Sequence, residues 1–350
     1  MKTQRAIVKE KPGAGVTLKE VPIPEKLGSK EILVKVKAAS ICGTDIHIYD
    51  WNDWAVKNIK PPRVIGHEFA AEVVEVGKEV TSIKVGDYVS AETHIACGTC
   101  YMCKTGNKHI CQNMKIIGVQ TDGAFTNYLV IPEENAWLNP PDLPIEIAAI
   151  QEPLGNAVYT VLSGDVAAKD MLITGAGPIG LMAIAVAKAC GAGKIIVTEV
   201  AEKRKKLAKE MGADFVIDPT KENVLSMIND LTHGLGVDVG LEMSGKESAL
   251  ETLLKSMKKR GRVSLLGIFD SNPNVNLNDD IIFKGLDIHG ITGRLMFQTW
   301  YQIKSLLENK RIDLTKIVTH KMPLEKFEDG IALLKKGEAV KVVLYPDQKI

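Results

Sequence analysis

Four of the chain's six cysteines lie within fifteen positions, in CGTCYMCKTGNKHIC from Cys97 to Cys111, with C-x2-C-x2-C-x7-C spacing. Three chemistries use thiols packed this densely: disulfide formation, redox switching and metal ligation. Zn²⁺ takes four thiolates in a tetrahedron, each about 2.3 Å away. Cysteines separated by two residues can grip one ion from a tight turn, and Gly98 and Gly106 supply the backbone freedom such a turn needs. Cys97, Cys100, Cys103 and Cys111 would fill every position on the ion and leave none for substrate. The reading is a structural zinc clamping a lobe over 94–114 that has little core of its own. Reduced thiols or a redox switch are the alternative. An iron–sulfur cluster would be expected to bring a recognisable electron-transfer motif.

A second set of ligand types is more open. ICGTDIH holds Cys42, Thr44, Asp45 and His47, and twenty residues beyond His47 the stretch VIGHEF gives His67 and Glu68. A soft thiolate, an imidazole and nearby carboxylates suit a catalytic zinc, which keeps one position free for water or substrate. GHE alone is weak, because a lone histidine is more often structural than ligating. Cys42 upstream and the cysteine lobe downstream give it weight.

A third constellation points to a nucleotide. ITGAGPIG places Gly175, Gly177 and Gly180 in G-x-G-x-x-G spacing, with Ile179 inside it, between an apolar strand and a helical pattern. The first glycine permits the turn, the second lets backbone N–H groups approach a pyrophosphate, and the third lets helix and strand pack closely. Glu199 follows nineteen residues after Gly180, at the end of the next strand, where a carboxylate can accept hydrogen bonds from ribose hydroxyls. It would repel a 2′-phosphate, which favours NAD over NADP. Arg204 could meet such a phosphate, or sit on a solvated helix face. Leu266, Gly267 and Ile268, and further on Ile291, Thr292, Gly293 and Arg294, follow later strands. Ligands of such sheets lie at the strands' carboxyl ends, so these loops should line the nicotinamide half.

These residues need scaffolds of two kinds. The chain's 350 residues exceed one ordinary core, so two domains are the prior. The first 150 residues alternate β-rich runs (AIVKEK, EILVKVKAAS, FAAEVVEVGK, GDYVSAE, NYLVIP) with Gly, Pro and Asp punctuation. From about residue 155 short apolar runs alternate with helical patterns: MLIT, IIVTE, FVID, VDVGLEM, RVSLLG and LDIHGIT are six strand candidates of a doubly wound parallel sheet. TWYQIKSLLEN, IVTHKMP, LEKFEDGIALLKKG and AVKVVLYP read as pieces returning to the first domain. The division predicted is 1–154 with 295–350 for the zinc-binding part and 155–294 for the nucleotide part.

Composition narrows the partners. The 44 basic and 43 acidic side chains nearly cancel, which gives no reason to expect nucleic acid. No stretch reaches the ~18 consecutive apolar residues that span a bilayer. MKTQRAIVKEKPG lacks the apolar run of a signal peptide. A cytoplasmic location is expected, where thiols stay reduced, and that weakens the disulfide reading.

CGTD-x-H, then GHE, then the four-cysteine lobe, then the glycine-rich fingerprint, in that order over essentially the whole chain, resembles the zinc-dependent medium-chain alcohol dehydrogenase family. The resemblance implies an α/β protein with a GroES-like, mostly β catalytic domain and a Rossmann nucleotide domain. It also implies two zincs per subunit, one catalytic and one structural, and NAD. Many members ligate the catalytic zinc with Cys, His and a second Cys. Here Glu152, in QEPLGNAVYT, stands where that cysteine would be, and Cys190 reads as a small packed hydrophobe. Glu68, Glu152 and water compete for the remaining contact. We favour Cys42, His67 and Glu68 as ligands, with Glu152 beside the metal as an exchangeable ligand or proton carrier.

The chemistry implied is a metal-lowered hydroxyl pKa, hydride transfer to nicotinamide, and a proton leaving by relay. Thr44, whose hydroxyl both donates and accepts, and His47 at the outer end form that relay by resemblance. A turn-capping hydroxyl is the bland alternative for Thr44. The resemblance also tips Arg204 toward the adenosine half. CGTDIHIYDWNDWA, ETHIACG and GITGRLMFQTWY are most similar to family members acting on L-threonine, which would yield 2-amino-3-oxobutanoate. His94 then resembles a position that faces substrate. Tyr49, Trp51 and Trp54 could wall the pocket or simply pack. Polyol or 2,3-butanediol oxidation, a non-catalytic NAD or zinc sensor, and a nucleic-acid zinc module are the rivals. Relatives are commonly oligomers. A homotetramer is expected, with LDIHGIT as the candidate edge for sheet pairing.

Overall fold

The computed structural model describes residues 2–347. The chain divides into two units, Met1–Pro153 with Val318–Ile350, and Leu154–Ile317.

The first unit is built mainly on antiparallel strands, with Val318–Pro323 and Lys341–Tyr345 paired in parallel. A seven-stranded sheet runs in the order Ala136–Leu138, Tyr88–Ala91, Glu68–Val76, Glu31–Ser40, Lys341–Tyr345 and Val318–Pro323, with Tyr128–Pro132 also paired to Glu31–Ser40. Alternation along Glu31–Ser40 turns Ile32, Val34 and Val36 into a core that includes Phe69, Phe125 and Phe327. The C-terminal strand Lys341–Tyr345 is inserted beside Glu31–Ser40 and is buried along its whole length. Position 341 of the sequence is thereby brought next to the strand ends that carry Ser40 and Glu68. Two helices follow Glu31–Ser40: α1 (Gly43–Asp50) and α2 (Asp53–Asn58). A two-stranded ribbon, His94–Ile95 with Lys115–Ile116, closes the base of the cysteine lobe.

The second unit is a six-stranded sheet in the order Phe215–Ile217, Ile195–Thr198, Met171–Thr174, Val237–Glu242, Met257–Leu265, Asp287–Gly290. Every ladder in it is parallel. In chain order this is 3-2-1-4-5-6, the dinucleotide-binding order, with its reversal between Met171–Thr174 and Val237–Glu242. Met171–Thr174 and Ile195–Thr198 are buried throughout, as strands with both faces covered must be. The helix Pro178–Ala189 is buried from Gly180 to Ala187.

One boundary differs from the sequence reading. Residues 295–317, assigned to the first domain with 295–350, belong to the second unit, and the chain returns only at Val318. The helix Gln298–Glu308 buries Thr299, Trp300 and Ile303, the turn Thr315–Ile317 packs on Pro178–Ala189, and Lys316 pairs with Glu210 at 2.9 Å. An amphipathic helix shows that it has an apolar face but not which core receives it. Among the described residues no helix is long and apolar enough to cross a membrane.

Candidate active site

The four lobe cysteines converge. Their sulfurs all lie within 4.8 Å of one another, at 3.5 Å for Cys100–Cys103, 3.8 Å for Cys100–Cys111 and 3.5 Å for Cys97–Cys111. Four sulfurs about 2.3 Å from one centre would be about 3.8 Å apart, so the cage has the size zinc requires. A disulfide would need about 2.05 Å, and all six cysteines are free thiols. Gly98 (φ 72°) and Gly106 (φ 83°) take the left-handed conformation that the turns demand. Cys111 Sγ accepts N–H bonds from Cys97 and Asn113 at 3.3 Å each. Hydrogen bonds from Thr99 and Asn113 bring the Cys97 thiol down to about 5, while burial pushes Cys103 up to about 12.

The second cluster joins Cys42, His67 and Glu68, whose donor atoms also lie within 4.8 Å of one another. Cys42 is the N-cap of α1, and its backbone N–H donates to Asp45 Oδ2 at 2.8 Å. This capping box points the thiol inward and buries Asp45 completely. Gly66 (φ 96°) makes the turn before His67, and a side chain there would strike the Phe125 ring at 2.6 Å. Glu68 is fully buried: its Oε2 accepts from both Ser40 Oγ and Lys341 Nζ. Lys341 is itself buried and donates also to the Ile41 carbonyl at 3.0 Å.

Three atoms here lack hydrogen-bond partners: Asp45 Oδ1 and His67 Nδ1, which face each other as an ion pair at 3.8 Å, and Glu68 Oε1. Burial alone would lower His67, but Cys42, Asp45 and Glu152 around it hold it up to about 10. Burial raises the Asp45 and Glu68 carboxyls, with His67 and Lys341 pulling the other way. A buried excess of anionic donors with orphaned lone pairs is a site shaped for a cation. The residues fit zinc.

Glu152, nearly buried at the start of the helix Gln151–Leu162, accepts from Thr93 Oγ1 at 3.2 Å and is close enough to bias Asp45, His67 and Glu68. His94 follows Thr93, and both its backbone N–H (2.9 Å) and ring Nδ1 (3.0 Å) meet Glu92 Oε1. Thr44 Oγ1 is 3.8 Å from Cys42 Sγ, and His47 Nδ1 is 2.7 Å from Asn52 Nδ2. Tyr49, Trp51 and Trp54 pack against the first unit's core, with Lys9 over the Trp51 ring at 4.8 Å. Cys190 lies in the second unit as a helix C-cap. Lys341, Ser40, Glu92 and Asn52 were not singled out from sequence. Only Lys341 left a trace, as one base inside the apolar run AVKVVLYP.

In the second unit the nucleotide candidates gather at the carboxyl ends of the parallel strands. Gly175 (φ 90°) turns out of Met171–Thr174, and a Cβ on Gly180 would sit 2.2 Å from the Gly175 carbonyl. A Cβ on Gly177, the N-cap of Pro178–Ala189, meets nothing within 4 Å. That open face beside a helix N-terminus is where a pyrophosphate fits. Half-buried Ile179 follows in the first turn. Glu199 Oε2 accepts from Ala176 N–H, and Oε1 from Val200 and Ala201 N–H, each at 2.9 Å. Arg204 is half-buried on Glu202–Glu210 with Nε unpartnered. Leu266 and Gly267 donate to the Glu242 carbonyl at 3.0 and 3.1 Å, Ile268 is exposed, Ile291 donates to Leu265, and Thr292 is exposed. Fully buried Glu242, absent from the sequence reading, ties Ser244 and Gly245 to the strand ends.

A GroES-like alcohol dehydrogenase model matches residues 28–141, and a zinc-binding dehydrogenase model matches 178–309. The chain belongs to the zinc-binding, medium-chain alcohol dehydrogenase family, with the GroES-like and Rossmann parts that the sequence resemblance implied. It is 53% identical over 343 residues to an L-threonine 3-dehydrogenase of Thermococcus kodakarensis, covering 98% of each chain. Among solved structures, 2R,3R-butanediol dehydrogenase from Bacillus subtilis aligns with TM-score 0.90 at 30% identity, over 98% of this chain and 100% of that one. A zinc-binding dehydrogenase from Sinorhizobium meliloti 1021, solved with NADP, aligns with TM-score 0.91 at 29% identity, over 99% and 100%.

Proposed function

We propose that the chain oxidises the secondary hydroxyl of L-threonine to 2-amino-3-oxobutanoate with NAD. The observation that carries this is the 53% identity to the T. kodakarensis enzyme over 98% of both chains, against 30% to the butanediol dehydrogenase. Cys42, His67 and Glu68 would hold the catalytic zinc, and Cys97, Cys100, Cys103 and Cys111 the structural one. When bound, the catalytic ion supplies Lewis acidity that makes an alcohol hydroxyl acidic near neutral pH. NAD supplies the acceptor for the hydride lost from the threonine β-carbon.

The chain's own residues handle the rest. Lys341 and Ser40 hold Glu68 by Oε2 and leave Oε1 for the metal. Thr93 orients Glu152, which carries a proton beside the site. Thr44 accepts the hydroxyl proton and His47 passes it to solvent. His94, steered by Glu92, faces the substrate's charged end. Gly175, Gly177, Ile179 and Gly180 receive the pyrophosphate, Glu199 the adenosine ribose, Arg204 the adenosine half, and Leu266–Ile268 with Ile291 and Thr292 the nicotinamide half. Glu199 favours NAD, although one structural neighbour was solved with NADP.

We also assign a homotetramer in the cytoplasm, where the lobe thiols would stay reduced for zinc. The edge strand Asp287–Gly290, with Ile282 (61%) and Phe283 (70%) exposed nearby, offers apolar surface for pairing copies.

NADH formation with L-threonine, 2,3-butanediol, sorbitol and xylitol side by side tests the substrate; threonine as the poorest would overturn it. Metal analysis of Cys42→Ser should show two zincs falling to one with turnover lost. Glu152→Gln should keep both zincs and lose about 100-fold or more in turnover.

A further inference from the structure

The orientation of Asn52 is fixed from the side away from His47. α1 ends in a left-handed residue, Trp51 (φ 59°), and Asn52 then caps α2. Its Oδ1 accepts the Ala55 N–H at 3.1 Å, and its own N–H donates to the His47 carbonyl at 3.3 Å. A backbone N–H can only donate, so the amide oxygen must face Ala55. The group 2.7 Å from His47 Nδ1 is therefore the amide NH2. That group offers only hydrogens, so Nδ1 must be an unprotonated acceptor, and the neutral ring carries its proton on Nε2.

We propose that Asn52 is a positioning residue of the proton relay, holding the resting His47 ring as the Nε2–H tautomer with Nδ1 as its one proton acceptor. The proposal rests on the reading of His47 as the relay's outer end. A proton on Nδ1 would set N–H against N–H. Either Asn52 must then leave the ring, or its amide must turn over and present hydrogens to the Ala55 N–H, which uncaps α2. A relay proton therefore enters at Nδ1 as Asn52 swings off the ring, and the proton already on Nε2 leaves to solvent.

The charged groups on the surrounding elements are Asp45 and Asp50 on α1, Asp53 and Lys57 on α2, Lys9 over Trp51, and Lys335 ion-paired to Asp50 at 2.7 Å. They are unchanged in every variant below, so differences report position 52.

Asn52→Asp and Asn52→Ser both keep an acceptor for the Ala55 N–H, so α2 stays capped. Solid-state ¹⁵N spectra of the zinc-loaded, histidine-labelled protein without substrate read the tautomer, with His47 assigned through His47→Asn. The expected result is Nε2–H in the wild type, a mixture in Asn52→Ser, and protonated Nδ1 in Asn52→Asp. A carboxylate at 52 should also raise the His47 titration midpoint by about one unit and move the acid limb of the turnover–pH profile up with it. A wild-type ring protonated on Nδ1, or the same tautomer in all three proteins, would overturn the proposal. His47→Asn with undiminished turnover would instead sink the relay reading and leave the tautomer assignment standing.

Discussion

Lys341→Met removes the cationic partner of Glu68. Lys341 is 2% exposed and Glu68 0%, so no water can take the ammonium's place. Removing one member of a buried ion pair costs about 3–5 kcal/mol, because the other charge is left uncompensated. For a unit of this size each kcal/mol moves Tm by roughly 2–4 °C, so the metal-free variant should melt about 6–20 °C lower. If Glu68 ligates zinc as proposed, the ion would offset the lost ammonium, and the loss in the zinc-loaded protein should be visibly smaller. Lys341→Met with Glu68→Gln should recover most of the metal-free stability, since neither member of the pair then carries a charge and Ser40 can still bond the amide. The assay is calorimetry of single and double variants with and without zinc, with metal content checked for each sample. A metal-free shift below about 2 °C, or a double variant no more stable than Lys341→Met, would refute the claim that the pair is coupled.

Gly180→Ala places a Cβ 2.2 Å from the Gly175 carbonyl and should cost about 1–3 kcal/mol along with NADH affinity. Gly177→Ala meets nothing within 4 Å, so it should melt normally yet lose about tenfold or more in NADH affinity, read by nucleotide fluorescence. Equal effects from the two would remove the distinction between a packing glycine and an approach glycine. Glu199→Ala frees three backbone N–H groups and should weaken NAD while narrowing its margin over NADP, measured as a ratio of kcat/KM values. A mild chelator should take the three-ligand zinc before the four-thiolate one, so activity should vanish with one equivalent lost and return on zinc addition. Activity surviving that first loss would count against the assignment.

The cysteine lobe could be read from sequence because thiolates are scarce and their spacing is short-range, and the Cys42, His67 and Glu68 group because its ligand types accompany that lobe. Cys97 to Cys111 close within one loop, and Cys42 caps the helix that carries Thr44 and His47. The parallel sheet was equally readable, since each apolar run is a strand with both faces covered and the glycine fingerprint marks its first turn. Helix 298–308 was misplaced for the reason given by its own amphipathicity: Trp300 announces burial but names no partner. The tryptophan insert stayed ambiguous because an aromatic loop looks the same whether it lines a pocket or, as Trp51 does under Lys9, a core.

What the sequence hides is the second contact of each reactive side chain. Glu68 is held by Ser40 and, across 273 residues, by Lys341; Glu152 is held by Thr93, 59 residues away. His94 is held by Glu92 and His47 by Asn52, pairs close in sequence but ordinary in composition. In every case one polar atom is fixed, and in Glu68 the other is left without a partner. A buried orphan costs about 1–3 kcal/mol, a strain that native proteins rarely keep without use. Its concentration at Asp45, His67 and Glu68 sets this cluster apart from a merely polar core. The fold leaves Glu68 Oε1 without a partner and Asp45 Oδ1 and His67 Nδ1 only at ion-pair distance, an arrangement that a bound cation would complete.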